Sequence, residues 1–243
     1  MKKILCLLIS FMLFIPISIY GKTVDLSEVN LTIDFDDDWY AFTRYNLDNN
    51  KELESLGLTK EYMENFFNEN EAYIDASPKE LGTDFILRIK SVEDMNNLSN
   101  YPDNIVKEVA KEISKLVSSE DYKVYNNGKT KYAIVKYYDE TSKYNVLAYY
   151  TVVNAQGYTF QMQKQGEFSE SEESIMKSIM DSAKYNILDK YKNETEDVQK
   201  ELDKDTKKDL SFKNILIYAG VGALIGVISV LISNKKKNKK GEM

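Results

Sequence analysis

Hydrophobic and polar residues alternate along several segments of this chain, and such alternation predicts strands. Residues 29–35 carry an apolar side chain at every second position, which indicates a half-buried strand. Residues 72–77 and 83–90 predict a strand pair, because Pro78 and Gly82 mark a turn between them. We therefore expect three strands in the N-terminal part of the chain.

Farther along the chain, four runs rich in aromatic and β-branched residues predict an antiparallel meander. The runs are residues 122–125, 129–138, 144–153 and 158–165. Turn-forming residues separate them, at Asn127-Gly128, at 139–143 and at 154–157. Both alternating sets of positions in the third run are apolar, so we expect this strand to lie inside the sheet with both faces covered.

Three segments repeat apolar residues at helical spacing. The first is expected to begin at an N-cap Thr59, and the second at an N-cap Asp103. In the third, Ser169 and Glu172 have the spacing of a capping box. Helices are predicted early, in the middle and late in the domain, and one strand is expected to be covered on both faces. The pattern therefore predicts an α+β domain over residues 22–188, with an antiparallel sheet sandwiched by helices (α/β/α).

Both ends of the chain carry apolar segments typical of membrane targeting. Residues 1–21 contain two lysines and then an apolar run, which predicts a signal peptide cleaved after Gly21; an uncleaved anchor is the alternative. Residues 215–232 form an apolar run without a charge. At about 1.5 Å per residue this run reaches about 27 Å, close to the hydrocarbon thickness of about 30 Å. A transmembrane helix is therefore predicted over residues 214–233.

A lysine-rich tail sets the orientation of this helix. Five lysines among residues 234–243 predict a cytoplasmic C-terminus, so the domain between the two apolar runs is expected outside the cell membrane. Residues 189–213 carry seven Lys against eight Asp or Glu, which predicts a charged stalk. A coiled coil is disfavoured there, because the seven-residue frame places Asp205 and Asp209 in the seam. The chain is interpreted as a single-pass membrane protein.

Charge and composition exclude several classes of function. The net charge is -7; leaving out the two lysines of the leader and the five lysines and Glu242 of the tail, residues 22–233 carry -13. Such a domain would repel nucleic acid and anionic lipid headgroups. The chain has no His, and its one Cys is Cys6 in the leader, which excludes histidine triads, cysteine nucleophiles and structural zinc sites. We expect no cofactor.

Two segments and the order of elements resemble a known fold. The first segment is a strand followed by a loop with a tryptophan (LTIDFDDDWY, residues 31–40). The second is a closing hairpin (TVVNAQGYTFQMQ, residues 151–163) that leads into a helix (SESEESIMKSIMDSAKY, residues 169–185). Both are similar to the PsbP-like fold, which is shared with DcrB-like and Ran-binding Mog proteins. Where those families usually have a proline before the tryptophan, this chain has Asp36 to Asp38. The resemblance implies an α/β/α sandwich that acts by binding rather than catalysis, and it transfers no functional residue.

The acidic loop that contains the tryptophan is the candidate contact site for a partner. Asp36, Asp37 and Asp38 supply negative charge, and Trp39 and Tyr40 supply aromatic surface. Two simpler interpretations stay open, because a tryptophan beside a core strand commonly closes the core and Asp is common in turns. Calcium binding is disfavoured, since the loop lacks the glycine and the distant glutamate of the EF-hand pattern. No catalytic or metal site is assigned.

The predicted membrane helix contains a second candidate contact. Gly222 and Gly226 form a G-x-x-x-G spacing that allows two helices to pack closely, so a homodimer through this helix is one alternative. The leading interpretation is a non-catalytic binding or scaffolding module whose partner is an envelope or membrane protein. The runner-up is an accessory or sensory subunit that associates through its transmembrane helix, and a carboxylate-dependent hydrolase comes third.

Overall fold

The computed structural model describes residues 21–80, 82–92 and 95–191, which form two sheets and four α-helices. The helices are α1 (Lys51–Ser55), α2 (Lys60–Glu69), α3 (Asp103–Leu116) and α4 (Glu170–Ser182). The strands are β1 (Lys22–Leu26), β2 (Leu31–Phe35), β3 (Trp39–Thr43), β4 (Ala72–Pro78), β5 (Thr83–Ser91), β6 (Asp121–Asn126), β7 (Lys131–Asp139), β8 (Tyr144–Val153), β9 (Gln156–Lys164) and β10 (Lys184–Tyr185). Short 3₁₀ turns lie at Ser27–Val29, Leu98–Asn100 and Asp189–Tyr191.

The larger sheet has seven strands in the order β3-β4-β5-β9-β8-β7-β6, and the smaller has three in the order β1-β2-β10. All neighbouring strands are antiparallel. The predicted meander is confirmed as β6 to β9, and the predicted strand pair as β4 and β5. Within β8, Leu147 and Tyr149 pack on one face of the sheet and Tyr150 and Val152 on the other. The expected interior strand with two covered faces is confirmed.

Helices cover both faces of the larger sheet. On one face, Met176 and Ile179 of α4 join Ile33 of the smaller sheet and Phe160 of β9 in the largest apolar cluster. On the other face, α3 packs on β7 and β8 through one apolar cluster, and α2 packs on β3 and β5 through a separate one. The predicted α+β class with an antiparallel sheet between helices is confirmed.

Side-chain caps place the starts of two helices where the sequence predicts them. The Thr59 hydroxyl accepts a hydrogen bond from the backbone N–H of Tyr62 at 3.2 Å. Ser169 and Glu172 form both hydrogen bonds of the capping box at the start of α4. These bonds satisfy N–H groups that the first helical turn leaves without intrahelical partners.

The structure moves the start of one predicted helix and of the first predicted strand. Pro102, not Asp103, is the residue that precedes α3, because its extended backbone (φ -65°, ψ 155°) leaves Asp103 as the first helical residue. The Asp103 carboxylate instead pairs with Lys131 at 2.9 Å. The first predicted strand begins two residues late, at Leu31, because Asn30 adopts the left-handed conformation (φ 57°) after a 3₁₀ turn.

Several predictions fall on parts of the chain that the structure does not describe. These parts include residues 1–20 of the predicted signal peptide and residues 192–213 of the stalk. They also include the predicted transmembrane helix, with Gly222 and Gly226, and the lysine tail. Among residues 21–80, 82–92 and 95–191, no helix has the length and apolar character needed to cross a bilayer.

Candidate functional site

The acidic loop is the tight turn where the chain passes from the smaller sheet to the larger one. The backbone N–H of Trp39 donates to the carbonyl oxygen of Asp36 at 3.0 Å and closes the turn. The side chains of Asp36, Asp37 and Asp38 are all exposed. Lys79 braces the turn, since its backbone N–H donates to the Asp38 carbonyl at 2.6 Å and its Nζ to the Asp37 carbonyl at 3.1 Å.

The structure separates the two aromatic residues of this loop. Trp39 begins β3 and is only 3% exposed, with its ring 5.4 Å from that of Phe35 in the core. Tyr40 points to the opposite face of the sheet, where it stacks at 6.5 Å on Phe42. Successive side chains of a strand alternate between faces, so Trp39 and Tyr40 do not form one contact patch. Trp39 closes the core, which was the simpler interpretation of its position.

A groove lies beside this turn, between β2 and the facing helix α4. Its volume is about 370 Å³. Phe35, Trp39 and Ile179 are buried side chains that line its floor, and Asp36 and Ser178 are exposed residues on its opposite rims. The groove therefore combines an aromatic and aliphatic floor with polar rims, and it brings the predicted residues Trp39 and Asp36 to one site.

The charge of the groove is negative. Asp34 and Asp36 line it, and among the described residues that do so none is basic. Thr23 donates a hydrogen bond to the Asp34 carboxylate at 2.7 Å. On the helix side, the Ser182 hydroxyl accepts the backbone N–H of Asp34 at 2.9 Å and donates to the Ile179 carbonyl at 2.7 Å. These bonds fasten α4 to β2, so the two walls of the groove hold a defined separation.

The first turn of α4 is held to the larger sheet by ion pairs. Lys164 of β9 pairs with Glu172 at 2.6 Å, and Lys136 of β7 pairs with Glu173 at 2.5 Å. Burial alone would raise the pKa of Glu172, but hydrogen bonds from Lys164 and Ser169 outweigh it and lower the pKa to about 2. The helical wall of the groove is thus anchored at its start.

A second polar cluster lies inside the fold, on the face of the larger sheet that α2 and α3 cover. Asp84, Arg88, Gln161 and Gln163 are buried on the adjacent strands β5 and β9. Burial lowers the pKa of Arg88. Gln161 donates to the Tyr137 hydroxyl at 3.0 Å. The sequence signal for this cluster is clearest on β9, where Gln161 and Gln163 alternate with Phe160 and Met162. The sequence analysis assigned no role to these glutamines.

The carboxylates of the acidic loop do not converge on a common point. Within the described ranges, no three His, Cys, Asp or Glu side chains are grouped closely enough to hold a metal ion. The pattern of three consecutive carboxylates reflects a tight exposed turn, where Asp is favoured.

Several solved structures are similar to this chain. The solution structure of cyanobacterial PsbP from Synechocystis sp. PCC 6803 is 8% identical, with 70% of this chain and 96% of that chain covered and a TM-score of 0.43. A crystal structure from Bacteroides thetaiotaomicron is 9% identical, with 68% and 48% covered and a TM-score of 0.41. The Saccharomyces cerevisiae Ran-binding protein Mog1p is 7% identical, with 69% and 96% covered and a TM-score of 0.37.

PsbP and Mog structures are thus among those to which this chain is similar, as the sequence resemblance predicts. No protein-family model matches the chain, and no curated protein sequence is similar to it.

Proposed function

We propose that this protein is a single-pass surface protein whose acidic outer domain is a non-catalytic binding module for an envelope or membrane protein. The observation that carries the binding role is the groove of about 370 Å³ between β2 and α4. A concave site with an apolar floor and a few polar groups on its rim is typical of ligand and peptide recognition.

The distribution of acids around the groove favours binding over hydrolysis. A glycosidase places two carboxyl groups on either side of the bond that breaks. Asp34 and Asp36 both project from the same wall, at the end of β2 and in the following turn. The facing wall, α4, contributes Ile175, Ser178 and Ile179 to the groove. A substrate in the groove would therefore meet carboxylates on one side and aliphatic or hydroxyl groups on the other.

Sequence features support the membrane anchor and its orientation. The uncharged run 215–232 has the length of a membrane helix, and the five lysines that follow it are typical of a cytoplasmic flank. The charge of -13 over residues 22–233 suits a domain that stays away from the anionic headgroups of its own membrane. We infer that the stalk 189–213 separates the module from that surface.

Site-directed photo-crosslinking on living cells tests the proposal. Cys6 is the only cysteine, so a chain with Cys6→Ser and Ser178→Cys carries one thiol, placed on the rim of the groove. Labelled with a thiol-reactive photo-crosslinker, it should yield a discrete adduct with one protein. The matched control is Glu120→Cys in the same background, since Glu120 is exposed beside β6, at the other end of the larger sheet from β3.

The control variants decide between the candidate functions. A discrete adduct at Ser178→Cys and none at Glu120→Cys supports the groove as the binding site. Equal adducts at both positions, or none at either, contradict it. Loss of the adduct on Gly222→Leu with Gly226→Leu, in a chain that still reaches the cell surface, would favour the accessory subunit that associates through its membrane helix.

A further inference from the structure

The rims of the groove differ in chemistry, which restricts what can occupy it. Asp34 and Asp36 stand on the β2 side, and the exposed Asp37 and Asp38 continue the negative charge past its end. Two lysines lie beside this rim. The Nζ of Lys79 donates to the Asp37 carbonyl and lies 5.7 Å from the centre of the Tyr40 ring. Lys22 pairs with Phe35 in the smaller sheet, and its Nζ pairs with Glu52. The aspartate rim is thus open to a positive charge from outside.

The size and floor of the groove set the second restriction. Its volume of about 370 Å³ lies at the small end of ligand pockets, which span about 300–1,000 Å³. Such a volume accepts one or two side chains of a partner rather than a folded surface. The buried side chains Phe35, Trp39 and Ile179 line the floor, so an apolar side chain gains most from entering it.

The geometry points to a peptide segment in which a lysine or arginine adjoins an apolar side chain as the occupant of this groove. This inference rests on the proposed function and names the partner chemistry of the same site. The apolar side chain enters between Trp39 and Ile179, and the cation lies over the rim at Asp36. The exposed hydroxyl of Ser178 stands beside it to donate to or accept from the backbone of the segment, and that of Thr23, whose proton is donated to Asp34, can accept.

The fluorescence of Trp39 reports directly on binding in the groove, because Trp39 is the only tryptophan of the chain and lines the groove. The full chain is placed in nanodiscs of phosphatidylcholine, whose neutral headgroups do not attract basic peptides. Two capped peptides without aromatic residues are titrated, Gly-Lys-Leu-Ile-Lys-Gly and Gly-Glu-Leu-Ile-Glu-Gly. We expect the lysine peptide to change the Trp39 emission saturably and the glutamate peptide to leave it unchanged.

The matched variants are Asp36→Asn and Glu120→Gln, which each remove one negative charge at an exposed position. With salt low enough for a Debye length of about 30 Å, Asp36→Asn should weaken binding of the lysine peptide about threefold, as expected for an exposed ion pair. Near 1 M salt, where the Debye length is about 3 Å, this difference should vanish. Glu120→Gln should bind as the unchanged chain does.

Equal binding of the two peptides, an equal loss in both variants, or no change of Trp39 emission with either peptide would overturn the inference. The proposed function has its own readout in the crosslink at Ser178→Cys. If that crosslink forms while the peptides are not distinguished, the groove is the binding site and only the partner chemistry is wrong. If neither the crosslink nor the titration responds, both ideas fail together.

Discussion

Gln163 shows how a single residue departs from the apolar pattern of its surroundings. It is fully buried on β9, between Asp84 of β5 and Val146 of β8. In the part of the chain that the structure describes, neither its amide oxygen nor its amide nitrogen has a hydrogen-bond partner. A buried polar group without a partner costs about 1–3 kcal/mol.

Replacement of this amide by a side chain of similar shape should therefore stabilise the fold. We expect Gln163→Met to raise the free energy of unfolding by about 1–3 kcal/mol, measured by urea unfolding. Gln161→Met is the matched control on the same strand, and it should gain less because it sacrifices the bond to Tyr137. A lower stability of Gln163→Met would mean that its amide is hydrogen-bonded in solution.

The sequence identified residues of the candidate loop correctly, but it did not predict to which face of the sheet each side chain points. It identified Trp39 and Asp36, which do meet in the groove, but it grouped Tyr40 with them. The three aspartates made residues 36–40 resemble a continuous loop, whereas β3 begins at Trp39 and sends Tyr40 to the other face. Strand alternation decides this direction, and it operates only once the start of the strand is known.

At the scale of elements, α4 is the wall on which the groove depends, and Glu172 stabilises its first turn. The folded-state pKa of about 2 lies below the ordinary value of 4.5. The stability that Glu172 contributes is therefore complete above about pH 4.5 and is lost as the pH falls towards 2. Glu172→Gln keeps an amide oxygen that can accept from Ser169, but it removes the ion pair with Lys164. It should therefore cost about 1 kcal/mol at neutral pH, the upper range for such a pair.

A pH series of urea unfolding curves checks this prediction. The difference between Glu172→Gln and the unchanged chain should shrink as the solution becomes more acidic than the ordinary pKa of the carboxyl. Glu170→Gln is the control, since it removes a charge from the same turn and leaves Glu172 with its ion pair to Lys164 and its capping box unchanged. An equal loss in both variants would assign the effect to the helix dipole rather than to the hydrogen bonds of Glu172.

Long elements show their period in the sequence more clearly than short ones. Strands β5, β7, β8 and β9 and helix α3 have nine or more residues and enough repeats to show their period. Strands β1, β3 and β10 and helix α1 have five residues or fewer and were not predicted. Pairing with distant parts of the chain holds such short elements, as β10 pairs with β2.

The turn between β8 and β9 is shorter than the sequence predicts, so β9 begins earlier than expected. The sequence predicted a loop over residues 154–157, but Asn154 and Ala155 alone form the turn, with φ of 55° and 58°. Two central residues with positive φ are the geometry of a tight hairpin. Gly157 therefore lies in β9, where a Cβ atom would come within 2.9 Å of the Tyr150 hydroxyl. The glycine serves a close approach rather than a turn.

At the scale of the whole molecule, the groove joins parts of the chain that are far apart in sequence. Its contact between Asp34 and Ser182 links positions 148 residues apart. No local pattern connects them, so the sequence predicted the loop but not the helical wall that Ser178 and Ser182 contribute. The acidic charge and the two apolar runs, in contrast, are visible in composition alone, and they predict on which side of a membrane the groove lies.

The proposed function depends on the prediction that the groove lies on the outer side of the membrane. In a chain with Cys6→Ser, a single cysteine is placed at Ser178→Cys in the groove or at Asn238→Cys in the lysine tail. Intact cells are treated with a maleimide that does not cross membranes. We expect labelling of Ser178→Cys on intact cells and of Asn238→Cys only after lysis. Labelling of Ser178→Cys only after lysis, or of Asn238→Cys on intact cells, would contradict a groove that faces outward from an anchored surface protein.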